Sequence, residues 1–376
     1  MKVVLSVEAL GPTLTGIGRY VSELALALPE KLGVVNLEFY RNGRWIDNPK
    51  PLLAEPTQQP KLRSTFKKNT FKIKPPRWLR QPLLNWQCHN KIFHGPNYFI
   101  PQCADKGVIT IHDLSVFKYP ETHPADRVVQ FERQFSTSVA RSSHLITDSE
   151  ATRLEVISYL GWPAEKITAV PLGVSNTFRP QTGNATDSCL HRYGLVYGQY
   201  SLCTSTLEPR KKIERLLSAY QLLPMAVRHC YPLILVGSSG WLSEALLADI
   251  ARLSTQGWLK YLGFVPQNDL PSLYAGARAF VYPSVYEGFG LPVLEAMASG
   301  VPVVASPFTS LPEVTQGAAL LVDPDNVEAL ASAIHYSLID ENWRQTAINS
   351  GLAVAQTFSW DRCADQTIKV YQAISG

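Results

Sequence analysis

Long apolar runs are missing from this chain: none approaches the roughly 20 residues that a membrane-spanning helix needs, which argues against an integral membrane protein. Cysteine is sparse and scattered. Cys88, Cys103, Cys189, Cys203, Cys230 and Cys363 form no Cys-x-x-Cys and no His/Cys spacing of a zinc site, which excludes a disulfide-stapled scaffold and a structural zinc module. Met1 to Val7 reads as a strand and has neither the length nor the cleavage pattern of a signal peptide. Reduced thiols in a cytosolic protein are therefore expected, and the Asn184-Ala185-Thr186 sequon carries no weight. No internal repeat stands out, which sets aside solenoids and propellers. A dinucleotide fingerprint is absent too, because Gly16-Ile17-Gly18-Arg19 follows a loop rather than a strand exit and lacks the third glycine. Nor does one sign of charge dominate: 35 Lys and Arg against 31 Asp and Glu leave a formal net charge of +4.

What the chain has is length and alternation. Its 376 residues suffice for two domains with full cores. Short β-branched or apolar runs alternate with helix-like segments throughout, the pattern of parallel sheets covered by helices. In the first half, residues 2–7, 107–111, 144–147 and 167–170 read as strands, and 18–28 and 125–140 as helices. In the second, 200–204, 233–236, 259–262, 279–282 and 302–305 read as strands, with helices at 212–222, 243–254, 270–275 and 293–299. Residues 178–188, rich in Pro, Gly, Asn, Asp, Ser and Thr, read as an interdomain linker. The expected fold class is α/β, with two doubly wound, Rossmann-like domains (1–180 and 189–359) facing a cleft. An amphipathic C-terminal helix over about 360–376 completes it. Ligands of such sheets bind beyond the carboxyl ends of the strands.

The most informative stretch is Glu287-Gly288-Phe289-Gly290-Leu291-Pro292-Val293-Leu294-Glu295. It joins a strand-like run to a helix-like segment with proline in its first turn. Free backbone N–H groups and the helix dipole converge at such a junction and favour anions. A carboxylate at each end would repel phosphate, unless both reach past it to the hydroxyls of an attached sugar. The pattern points to a sugar-nucleotide site. Through Glu287-x7-Glu295 the chain resembles the retaining glycosyltransferases of family 4, which have the GT-B fold. It looks most like the GDP-mannose-dependent branch that builds bacterial surface polysaccharides. That likeness rests on Gly16-Ile17-Gly18-Arg19-Tyr20, Phe93-His94-Gly95-Pro96-Asn97-Tyr98, Thr110-Ile111-His112-Asp113-Leu114 and Thr147-Asp148-Ser149-Glu150. It continues in order through Val170-Pro171-Leu172-Gly173-Val174, Thr206-Leu207-Glu208-Pro209-Arg210-Lys211 and Leu262-Gly263-Phe264-Val265.

The resemblance implies roles. Gly16 and Gly18 would belong to a mobile loop whose amides touch the donor diphosphate, and Phe289, Gly290 and Leu291 would offer amides to its β-phosphate. Arg210 and Lys211 would neutralise the departing nucleoside diphosphate, the charge a transferase has to stabilise. The wider family reads Gly-Arg-x-x-x-x-Lys here; this chain has Ser205-Thr206, so Thr206 takes a donor-binding position without the arginine and Arg210 substitutes for it. His112 would contact the donor sugar and Asp113 would lie near the acceptor. Glu295 is assigned to the ribose, and Glu287 to the transferred sugar as nucleophile or as orienter. Phe264 and Val265 would bound the base pocket. Retention is attributed in the family to front-face displacement, in which the protein mainly positions reactants and stabilises charge. His89, His94 and His144 read as structural.

Asp323-Pro324-Asp325 has the form of a metal-binding Asp-x-Asp, but it lies in a turn where Asp325 reads as a helix N-cap. No metal and no cofactor is expected. Residues 61–80 carry Lys61, Arg63, Lys67, Lys68, Lys72, Lys74, Arg77 and Arg80 with no acidic residue, interleaved with aromatics such as Trp78. Basic residues beside an anionic leaflet contribute about 1 kcal/mol each, and tryptophan suits the headgroup level. Nucleic acid is the weaker partner, for want of a recognised module. The expectation is a retaining, metal-independent α-mannosyltransferase using GDP-mannose, with a lipid-linked or growing saccharide of O-antigen type as acceptor. It would sit peripherally on the cytoplasmic face of the bacterial inner membrane, among other polysaccharide-assembly enzymes. Acceptor residues are expected in the variable loops of residues 39–86. Another donor (UDP-glucose, dTDP-rhamnose), a sugar-nucleotide epimerase and an inactive scaffold are the alternatives.

Overall fold

In the computed structural model, described for residues 1–11, 16–33, 36–53, 84–104, 106–122, 125–240 and 243–375, short apolar runs assemble into two separate sheets. The first contains β1 (Val3–Ser6), β2 (Leu37–Arg41), β3 (Arg44–Ile46), β4 (Ile92–Gly95), β5 (Lys106–Ile111), β6 (Ser142–Thr147) and β7 (Ile167–Ala169). Their order is β3-β2-β1-β4-β5-β6-β7, parallel except for the β2–β3 pair. The second contains β8 (Ser201–Thr204), β9 (Leu233–Val236), β10 (Leu259–Tyr261), β11 (Ala279–Tyr282), β12 (Val303–Ala305) and β13 (Leu320–Leu321). It is parallel throughout, in the order β10-β9-β8-β11-β12-β13. Strands such as β1, β8, β9 and β11 are buried along their whole length, which is why they read as continuous apolar runs rather than alternating ones. Each sheet changes direction of progression between two strands, β1 and β4 in the first and β8 and β11 in the second. Crevices open at the carboxyl ends of such strand pairs.

Most expected strands agree with the observed ones to within two residues. β2, β3, β4 and β13 were not anticipated. The β2–β3 hairpin turns at Asn42 (φ 50°) and Gly43 (φ 75°), the Asn-Gly pair that tolerates two consecutive positive φ angles. In β4 a fully buried histidine interrupts the apolar pattern. The segment read as linker is helical from Gly183 on: Gly183–Arg192 is a helix whose Thr186, Cys189 and Leu190 are buried. None of the six cysteines is in a disulfide, and Cys88 Sγ donates to Cys103 Sγ at 3.1 Å.

The C-terminal helix, Trp360–Ala373, returns to the first half of the chain. It begins at the N-cap Ser359, whose hydroxyl accepts from the Arg362 amide, and packs against the first helix, Gly16–Leu32. Gly173 makes the crossing possible, since a Cβ there would collide with the backbone of Ser359 and Trp360. Lys31 binds Asp361 at 2.7 Å and Asp365 at 2.6 Å on the outer side. Inside, Tyr371 meets His94 Nδ1 at 2.6 Å, His94 Nε2 meets Thr110 Oγ1 at 2.9 Å, and Thr110 meets the Tyr20 hydroxyl at 2.9 Å. Burial holds His94 neutral, its pKa depressed to about 3, so the ring has one donor and one acceptor for the hydroxyls on either side.

The basic aromatic stretch, with Lys67, Lys68, Lys72, Lys74 and Trp78, lies outside the described residues. Among the described residues no helix is long and apolar enough to cross a membrane. The buried His94 relay yields a stability prediction: Tyr371→Phe leaves His94 Nδ1 without a partner and should cost about 1–3 kcal/mol, measured as a lowered midpoint in urea unfolding.

Candidate functional site

Four strand ends face one another across the cleft: β4 and β5 from the first sheet, β8 and β11 from the second. β8 runs into Thr206, Glu208 and a short turn, Pro209–Lys211, closed by Lys212 at φ 52°. The Arg210 carbonyl accepts from the Val285 amide at 2.9 Å, which locks this turn to the segment leaving β11. Lys211 is buried beneath it. Its ammonium donates to the Tyr282 hydroxyl at 3.0 Å and forms an ion pair with Glu287. Arg210 Nη1 donates to the Tyr286 carbonyl at 2.7 Å and lies 3.6 Å from Glu287 Oε2, while Nε is 3.1 Å from Glu208. Thr206 Oγ1 donates to Glu208 at 3.0 Å.

These four charges tune one another. Burial would raise the Glu287 pKa, but Lys211 and Arg210 outweigh it and pull the group down to about 2. At Lys211 the balance tips the other way: burial exceeds the attraction of Glu287 and lowers the pKa from its ordinary value. Burial also opposes the charge of Arg210, yet Glu287, Asp113 and Glu208 together raise its pKa further. Glu287 is thus a fixed carboxylate near neutral pH, and Arg210 a fixed cation.

From the first sheet, His112 follows β5 and is buried with both ring nitrogens engaged. Nδ1 is 2.7 Å from Asp148 Oδ2 and Nε2 is 2.9 Å from the Pro96 carbonyl. A carbonyl only accepts, so Nε2 carries hydrogen. Burial opposes the imidazolium, but Asp148 and the Pro96 carbonyl outweigh it and raise the pKa. Asp113 Oδ1 accepts from the Ser115 amide at 2.9 Å and the Ser115 hydroxyl at 2.7 Å.

Gly288 joins the halves. A Cβ there would collide with the His112 carbonyl, and its own carbonyl accepts from Ser149 Oγ at 2.7 Å and Thr152 Oγ1 at 3.1 Å. The Tyr286 hydroxyl accepts from the Leu114 amide at 2.9 Å. Glu313 accepts from the amides of Glu150 and Ala151 at 3.0 and 3.2 Å, capping helix Glu150–Leu160 from the opposite domain. Beyond Gly288, Gly290 (φ 107°) is the N-cap of helix Leu291–Ala298. Pro292 brings no N–H to this helix start and the Val293 amide donates to the Gly290 carbonyl at 3.0 Å, which leaves the Leu291 amide as the helix's own donor toward an anion.

The result is one cavity of about 730 Å³, lined by Gly16, His112, Asp113, Thr206, Arg210, Lys211, Glu287, Phe289, Gly290 and Leu291 among others. Comparison with known proteins bears on what this cavity serves. The family model for glycosyl transferases group 1 matches residues 198–353. O-antigen chain mannosyltransferase B of Escherichia coli is 40% identical over 388 aligned positions, covering all of both chains. The chain belongs to the group 1 glycosyl transferases. Its fold is that of WaaG, a glycosyltransferase involved in lipopolysaccharide biosynthesis (TM-score 0.70, 16% identity, 97% of this chain and 98% of that one). Anabaena HepE in complex with UDP is equally similar (TM-score 0.71, 21% identity, 99% and 100% covered). The architecture is GT-B, and the protein is a glycosyltransferase.

Other assigned residues of this glycosyltransferase lie outside that cavity. Glu295 is buried on its helix and paired with Arg19, whose Nη2 also donates to Gln267 at 2.7 Å. Phe264 is 61% exposed and Val265 buried, and neither lines the cavity; Gly18 does not line it either. Glu208, Tyr282 and Asp148 were given no role from sequence, although Glu208 and Asp148 stand inside recognised stretches. Asp325 is not the helix cap expected: Asn326 caps Val327–Ile339, while Asp325 binds Lys212 and Arg215. Among the described residues no group of three or more His, Cys, Asp or Glu has the arrangement of a metal site.

The depressed pKa of Glu287 sets a pH window. Its value of about 2 lies below the ordinary 4.5, so its ionisation stabilises the fold fully above pH 4.5 and progressively less as pH falls toward 2. Glu287→Gln should flatten the pH dependence of urea-unfolding stability across that window.

Proposed function

We propose that the protein is a retaining α-mannosyltransferase that takes mannose from GDP-mannose and elongates a saccharide of O-antigen type. The carrying observation is the buried cluster of Arg210, Lys211 and ionised Glu287 at the ends of β8 and β11. It places two cations beside a helix start and next to His112, whose pKa is raised. Such preorganised charge suits a departing nucleoside diphosphate, because it acts at the moment charge develops without reorganising. The full-length likeness to the Escherichia coli O-antigen enzyme supports mannose as the sugar and the O-antigen as its destination.

Within this reading, Lys211 and Arg210 bind the leaving diphosphate, with the amides of Phe289, Gly290 and Leu291 on its β-phosphate and Gly16 and Thr206 beside it. A carboxylate held near pKa 2 by two cations is a weak base and a poor nucleophile. This supports Glu287 as the group that orients the transferred sugar. His112 stands beside the transferred sugar as a fixed wall of the site, since both ring nitrogens are engaged within the protein. Glu295 takes the ribose once Arg19 yields it, with Gly18, Phe264 and Val265 completing the donor side. Asp113 lies on the acceptor side. The available cations make metal and cofactor unnecessary. A lipid-linked acceptor and the basic stretch with Lys67, Lys68, Lys72, Lys74 and Trp78 favour a peripheral position on the cytoplasmic face of the inner membrane, beside other assembly enzymes.

The test is transfer from GDP-mannose, UDP-glucose, UDP-GlcNAc and dTDP-rhamnose to mannoside and lipid-linked acceptors in the presence of EDTA. Transfer from GDP-mannose alone, with retained anomeric configuration by NMR, is expected; turnover of another donor instead overturns mannose. Lys211→Ala should lower kcat by about 10²–10³-fold, the magnitude of removing one preorganised charge-stabilising group. Unimpaired turnover would remove Lys211 from the mechanism.

A further inference from the structure

A second cavity, of about 470 Å³, adjoins the reaction cavity and shares Phe99, Gln130 and Gln134 with it. Both shared glutamines stand on helix Ala125–Ala140. Arg127, Gln130, Gln134 and Thr137 follow one another at spacings of three and four, which places them in a row on that helix. From the first to the last the row spans ~15 Å at 1.5 Å per residue, more than one hexose ring. Gln130, Arg133, Gln134 and Thr137 are exposed, while Phe131 is partly buried beside Phe99, with ring centroids 5.1 Å apart.

The opposite wall is braced. The Ile100 amide donates to Ser138 Oγ at 3.3 Å, and Arg141 donates to the carbonyls of Gln102 and Ala104. Loop and helix thus hold the groove open without a ligand, which reduces the ordering cost of binding. Its chemistry is distinctive. Among the described residues Arg133 is the single charged side chain on the lining, alongside glutamine amides, Thr137, Ser138 and the ring of Phe99. Amides and hydroxyls both donate and accept, as each sugar hydroxyl does. A lipid phosphate or nucleic acid would instead call for several cations.

We propose that this outer cavity is an acceptor subsite for the sugar units preceding the one being extended, so that the enzyme grips a growing glycan rather than a single terminal hexose. The proposal rests on the transferase reading above. It places acceptor recognition on helix Ala125–Ala140, outside the loops of residues 39–86 where the sequence pointed.

The experiment uses the full-length protein with GDP present, and compares binding of methyl α-mannoside and α-mannotriose by isothermal titration calorimetry. The wild type should bind mannotriose about tenfold more tightly, the gain from a few extra hydrogen bonds. Arg133→Ala, and independently Thr137→Trp, which fills the groove from an exposed position, should shrink that advantage to about twofold. KM for the trisaccharide in the transfer assay should rise in parallel. No length advantage in the wild type, or one that survives both variants, overturns the subsite. A length advantage without transfer from GDP-mannose leaves the subsite standing and overturns the donor assignment. An advantage for maltotriose in place of mannotriose keeps the subsite and discards mannose.

Discussion

The cleft depends on the close approach of two backbones at Gly288. Its missing side chain lets the His112 carbonyl rest against the segment leaving β11, and its carbonyl is held by Ser149 and Thr152 from the other domain. That contact fixes where everything on either side of it goes. Glu287, one residue earlier, is turned toward Lys211 and Arg210; Phe289 to Leu291, just beyond, become the start of a helix over the same space. The Glu313 cap on helix Glu150–Leu160 and the Leu114–Tyr286 hydrogen bond hold the domains on both sides of it. The two domains meet at the site through the segments that follow their strands.

Charge is the second constraint. Lys211, Glu287, Arg210, His112 and Asp148 all sit in or beside the buried wall of the cleft. Breaking one partner from such a pair leaves an uncompensated charge, whereas replacing the whole pair with apolar groups is often neutral for stability. Stability alone therefore does not account for the arrangement. What the paired charges supply is position: a carboxylate fixed in the ionised state, a guanidinium fixed as a cation, and an ammonium whose pKa burial has lowered. The crossing C-terminal helix performs a comparable task on the first sheet, where Tyr371 satisfies a histidine that burial keeps neutral.

Much of this architecture was legible. Parallel strands buried on both faces leave continuous apolar runs, so β5, β8, β9 and β11 could be read nearly to the residue. The Glu287-to-Glu295 stretch announced itself because glycine, proline and paired carboxylates have specific uses at a strand-to-helix junction. Less was legible where the signal was local and weak. The β2–β3 hairpin carried its Asn-Gly turn but only brief strands, and β4 hid behind a buried histidine. Asp325 and Asn326 are both good caps; which one serves depends on Lys212 and Arg215, which engage the first.

The amino-acid sequence by itself determined the fold class, the order of the motifs and the residue types that could bear charge at the cleft, because these follow from periodicity and from the chemistry of short segments. Tertiary structure alone decided how those groups divide. It gathered Arg210, Lys211 and Glu287 about one point, occupied both nitrogens of His112, set Glu295 against Arg19, left Phe264 exposed, and opened a polar groove along helix Ala125–Ala140. Each outcome depends on which distant segments share a volume and which partner satisfies a buried polar group there. Spacing along one chain does not specify that competition.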